Sequence, residues 1–201
     1  MVMGGWSVAL TGVFAATGLY CLWRVMAGRS QGIETVADVN HVLMSPAMVV
    51  MLWWPSAGAG RWVEVTVFGG LALFFFHHLA GSVTVTARAA ALMHAGMNVG
   101  MVWMLLAMPA LMSGGGMEMD GGMAGMSGHQ HGAGTTTAQD LVGLQAWSAL
   151  LSWVVTGLLA LAAAWWLVRA IRHRGHRVQC CCHGLACAGM GAMLALMIPG
   201  L

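Results

Sequence analysis

Three histidines in this 201-residue chain are each followed by methionine at the seventh and tenth position: His41 by Met48 and Met51, His94 by Met101 and Met104, His183 by Met190 and Met193. In a helix of about 3.6 residues per turn these offsets return to within about 80° of the histidine, so each triplet lines one face over about 15 Å. Methionine fills 19 of the 201 positions. One offset therefore matches by chance about one time in ten, and the four matches on the two further helices about one time in ten thousand. Met44 and Met97 stand at the third position after their histidines, while the third face has Ala186 there and Cys187 at the fourth, which keeps a sulfur on nearly the same side. Three such faces brought together would set a ring of imidazoles beside two rings of thioethers, Met48, Met101 and Met190 in one and Met51, Met104 and Met193 in the other. Neutral imidazole and thioether ligands suit a soft monovalent ion, and copper as Cu(I) is the ion expected.

The elements that must carry these faces are membrane helices. A chain with 59% hydrophobic and 7% charged residues and a mean hydropathy of +0.79 lies outside the range of soluble domains, so lipid is its solvent. Apolar stretches at about 3–25, 38–54, 62–80, 85–112, 141–170 and 180–198 predict six spans, most of them close to the roughly 20 residues that 30 Å of hydrocarbon demands. The second is short and contains Pro46. The fold expected is an all-α membrane protein, one domain over 1–201. All eight basic residues are arginine, and seven follow the odd-numbered spans: Arg24, Arg29, Arg88, Arg169, Arg172, Arg174 and Arg177. The excess of positive charge in cytoplasmic loops then places both termini outside a plasma membrane. The opening MVMGGWSVAL lacks a basic segment and predicts a retained helix. A net charge of +2 gives no basis for a nucleic-acid partner.

This topology makes the three signature helices parallel, with histidine toward the cytoplasm and methionine toward the exterior. Each pairs with the odd span before it, and the echo of Met26–Ser30 (MAGRS) in Leu79–Val83 (LAGSV) fits a duplicated hairpin. The arrangement expected is three helix hairpins around a pseudo-threefold axis.

Between the fourth and fifth spans, 113–140 is glycine-rich and too polar to cross, which predicts an external loop. Met117, Met119, Met123, Met126, His129 and His131 supply soft ligands there, on a backbone supple enough to wrap an ion. At the other side, Cys180, Cys181 and Cys182 precede His183, where thiolates facing a reducing compartment suit receipt of a soft metal or serve only as membrane-flanking cysteines. Cys21, alone in the first span, is expected to pack.

A histidine inside a membrane is costly unless it is paired, liganded or hydrated. His94 lies deepest, with Asn98 one turn on; His41 and His183 start their helices, where an interfacial role competes. His78 ends a phenylalanine run, and it and Asn98 are candidates to support the ligands from outside. Eight tryptophans, Trp166 among them, are expected to be membrane anchors and lipid-facing bulk.

Around Asn40–Trp54 (NHVLMSPAMVVMLWW) and Met93–Met108 (MHAGMNVGMVWMLLAM) the chain resembles an actinobacterial family of small polytopic proteins described only as a domain of unknown function. That resemblance implies the six-helix fold and no activity. In the logic of its site the chain is similar to CTR-type copper transporters, where methionine rings select Cu(I) and a soft cytoplasmic motif receives it, although the rings here stand closer together. The similarity implies chemistry and not fold.

The function expected is Cu(I) acquisition or transport, with a copper chaperone or cuproenzyme as the partner at the end of the path. A membrane copper oxidoreductase or electron-transfer subunit is the enzymatic alternative, and it is disfavoured because Glu34, Asp38, Glu64, Glu118, Asp120 and Asp140 all fall in loops or at span ends, leaving no intramembrane acid or base. Haem held by His94 with either His78 or His41 would leave the methionine register without a purpose. A metal-free accessory subunit of a membrane complex, with methionine as packing, is the remaining alternative.

Overall fold

The computed structural model describes residues 5–54, 59–113, 138–172 and 174–197. Six α-helices follow in order: α1 (Gly5–Met26), α2 (Ile33–Trp53), α3 (Ala59–Gly81), α4 (Val85–Ser113), α5 (Ala138–Arg172) and α6 (Arg177–Met197), with a single 3₁₀ turn, Arg174–His176, before the last. All six are long and apolar enough to cross a membrane. Leu19, Leu43, Leu73, Val99, Leu158 and Leu185 lie on their outward faces and are exposed, as side chains solvated by lipid must be.

The most extensive contacts join neighbours in the chain, α1 with α2, α3 with α4 and α5 with α6; α1 also packs on α6, and α4 on both α5 and α6. Short connections enforce the first kind of pairing. Between α1 and α2 the chain reverses through Gly28, at φ 62°, and Gly32, at φ 56°, conformations that cost a side chain about 1 kcal/mol or more. Gly28 closes α1: its N–H donates to the Val25 carbonyl at 3.1 Å while the Arg29 N–H donates to Arg24 at 3.0 Å, the paired bonds that satisfy a helix C-terminus ending on glycine. Gly18 lets α1 and α2 touch, since a Cβ there would lie 2.7 Å from the Cβ of Ser45.

The second span begins at Ile33, five residues before the apolar stretch that predicts it. Hydropathy underestimates its length because Glu34 and Asp38 lie inside it. Arg24 makes that possible, donating to Asp38 Oδ1 and Glu34 Oε2, both at 3.3 Å. Arg24 is therefore a buried residue of α1 and not a free loop charge, and Asp38, with no exposure, is a carboxylate inside the bundle rather than at a span end.

The interior holds the large side chains of one cluster: Phe14, Phe68, Leu159 and Trp166 with the methionines of α2, α4 and α6. Methionine suits an irregular space between parallel helices, because its unbranched thioether adapts where a β-branched chain would not.

Candidate metal centre

Helices α2, α4 and α6 each turn one histidine inward about two turns from the N-terminal end of the helix, and the three rings meet. Their centroids lie 5.7 Å apart for His41 and His94, 4.3 Å for His41 and His183, and 5.0 Å for His94 and His183. One ligand-capable nitrogen from each lies within 4.8 Å of the other two. The group is buried: His41 and His183 are 1% exposed and His94 is 4% exposed. Phe75 of α3 stacks on His94 at 5.1 Å, and Trp166 of α5 presents its edge to His183 at 4.5 Å and to His94 at 5.7 Å.

The hydrogen bonding of these rings leaves lone pairs unused. His94 Nδ1 lies 2.8 Å from the Ala90 carbonyl oxygen. A carbonyl only accepts, so Nδ1 holds the proton and Nε2 is left with its lone pair, the tautomer in which a ligating imidazole is held by its other nitrogen. Among the described residues, His94 Nε2, His41 Nε2 and both nitrogens of His183 are buried without a partner. A buried polar atom without any partner costs about 1–3 kcal/mol, so these nitrogens call for a ligand or for water entering through the adjoining cavity.

All eight methionines expected on these faces are buried in the cluster that adjoins the rings: Met44, Met48 and Met51 of α2, Met97, Met101 and Met104 of α4, Met190 and Met193 of α6, together with Cys187. Helical rise sets the paired thioethers about 10 and 15 Å along the axis from their histidines. His78 is half-buried and lines a cavity with His94 and His183. Asn98 does not address the rings: its side-chain amide donates to the backbone carbonyl of His94 at 2.7 Å, back-bonding within α4. The loop ligands Met117, Met119, Met123, Met126, His129 and His131 lie outside the described residues.

On the side away from the methionines the cavity, about 310 Å³, reaches His94 and His183 between Glu34, His78, Arg169, His176 and Cys180. Sequence reasoning missed three contributors to this region. Trp166 faces inward, 4% exposed, rather than lipid; adjacent helical residues diverge by about 100°, so one member of the Trp165–Trp166 pair had to turn in. Cys21 and Asp38 form a further group with His183, one ligand atom from each lying within 4.8 Å of the others. Asp38 stands three residues before His41 and so near the same face, a signal hidden once hydropathy assigned it to the end of a span.

Taken together, these features define a polytopic helical membrane protein with a buried cluster of three imidazoles under a methionine-lined core. Over residues 33–197 the chain matches the family described as a domain of unknown function (DUF5134), and it belongs to that family. No curated protein and no solved structure matches it.

Proposed function

We propose that this protein binds Cu(I) inside the membrane and passes it from the methionine side to the three histidines, as a transporter or acceptor of copper. The observation that carries the reading is the convergence of His41, His94 and His183 with unpartnered nitrogens in a buried site. Imidazole nitrogens and thioethers are neutral ligands that hold Cu(I) without demanding a proton in exchange. The rings pack on one another and between Phe75 and Trp166 with centroids 4.3–5.7 Å apart, a spacing that suits a bare ion held between them.

In this scheme the arginine-rich connections lie in the cytoplasm of a plasma-membrane protein, and the segment 113–140 collects copper outside through Met117, Met119, Met123, Met126, His129 and His131. Three hairpins surround a pseudo-threefold axis with the signature helices innermost. The packing of α1 on α6 and of α5 on α4 supplies two of the three equivalent contacts that such an axis requires. A copper chaperone or cuproenzyme takes the ion at the cytoplasmic end.

The test is Cu(I) titration of the detergent-purified protein beside the triple variant His41→Ala, His94→Ala, His183→Ala. Loss of one tightly held equivalent in the variant supports the reading; equal binding by both proteins, or none by either, removes it. The cavity reaching His94 and His183 favours a second reading, a copper centre that turns over a small substrate, and consumption of a quinol by the copper-loaded protein alone would establish it.

A further inference from the structure

Cys21 of α1, Asp38 of α2 and His183 of α6 make a second compact group that shares only His183 with the histidine site, each offering one ligand atom within 4.8 Å of the others. All three are buried, at 1%, 0% and 1% exposure. Asp38 lies about 4.5 Å along α2 from His41, on the side away from the methionines. Arg24 holds Asp38 Oδ1, while among the described residues neither nitrogen of His183 has a partner. The Cys21 thiol interacts by hydrogen bonding with the Asp38 carboxyl group, and the two unpartnered nitrogens of His183 beside that pair are not explained by packing.

We propose that Cys21 and His183 form a second position for the soft ion, with His183 common to both positions. The inference rests on the copper reading of the three-histidine site and extends it by one step. Because His183 stays bonded throughout, the ion exchanges His41 and His94 for the sulfur of Cys21 without ever losing all its ligands. Coordination replaces the S–H bond of Cys21 by S–Cu. The displaced proton goes to Oδ2 of Asp38, so charge is conserved within the cluster and copper remains Cu(I). Arg24 stays compensated through Glu34. An anionic thiolate binds Cu(I) more firmly than neutral imidazole, so the ion comes to rest here, one step further from the methionines.

The experiment loads the full-length protein with Cu(I) and records the infrared difference spectrum in the S–H stretching region, together with retention of copper against a soluble chelator. Loss of an S–H band in the parent, absent from the Cys21→Ser spectrum, is expected. Cys21→Ser should still bind copper through its three histidines but lose about tenfold or more in retention, a step of about 1.4 kcal/mol or more. Persistence of histidine-dependent copper binding in Cys21→Ser, with a thermal unfolding transition like the parent's, shows that this variant is folded. If histidine-dependent copper binding persists while the Cys21 band is unmoved, this second position does not exist and the copper reading stands. If the parent holds no copper through its histidines, both fall.

Discussion

Replacing His183 by leucine should stabilise the metal-free protein, an unusual direction for a fully buried residue. Both ring nitrogens of His183 are buried without partners among the described residues. At about 1–3 kcal/mol for each unsatisfied group, the ring costs the fold about 2–6 kcal/mol. Leucine removes both polar atoms and breaks no hydrogen bond, and its different shape returns about 1–3 kcal/mol as strain among Trp166, His41 and His94. The difference spans about −1 to +5 kcal/mol and centres on a gain of about 2 kcal/mol. His94→Leu should be close to neutral, since it removes one unpartnered nitrogen but also the bond from Nδ1 to Ala90. Copper reverses the order. At free Cu(I) a hundred times the dissociation constant the parent gains about 2.7 kcal/mol, and a site reduced to two imidazoles forfeits most of it. Thermal unfolding in detergent, followed by tryptophan fluorescence with and without Cu(I) under reducing conditions, measures both effects. Should metal-free His183→Leu unfold below the parent, the ring is satisfied without a metal and the reasoning is refuted.

Met101→Leu and Met190→Leu conserve volume and should change stability by less than about 1.5 kcal/mol while weakening Cu(I) retention, read by chelator competition; equal retention would make the thioethers packing alone. Arg24→Gln strands a fully buried Asp38 and should cost about 3–5 kcal/mol in the same unfolding assay. Glu34→Gln, whose side chain is 48% exposed, should cost less than about 1 kcal/mol. Gly18→Ala drives a Cβ to 2.7 Å from that of Ser45 and should cost about 1–3 kcal/mol, most of it recovered in the double variant with Ser45→Gly.

The helices and the histidine–methionine faces were legible in the sequence because both depend on local quantities, apolar length and a 3.6-residue period. What escaped was decided by charge pairs between helices. Asp38 reads as the end of a span in hydropathy, and the guanidinium of Arg24, fourteen residues earlier, makes its burial tolerable. Arg24 itself was read as an orienting charge beyond the first span, since no single-helix argument shows that it turns inward. Cys21 packs in the interior as expected, but its approach to Asp38 and His183 is not legible, because these neighbours come from two other helices. Trp166 shows the limit of residue-type averages, because tryptophan is common at lipid interfaces while this one closes a wall of the histidine group.

The arrangement also explains where an ion would leave the histidines. Helices that alternate in direction across a membrane place every second one parallel, so one repeated register brings equivalent residues to equal depth with no further specification. Under the threefold arrangement proposed above, α3 should pack on α2 as α1 packs on α6 and α5 on α4, yet among the described residues α2 and α3 make no contact of that extent. The cavity reaching His94 and His183 is lined from both sides of this gap, by Ile33, Glu34 and Ala37 of α2 and by Phe75 and His78 of α3. Closing the gap would seal the rings on that side, as the methionine core already does on the other. Under that proposed arrangement, the departure from threefold packing at the α2–α3 seam coincides with the cavity that reaches His94 and His183, and His78 is part of its lining.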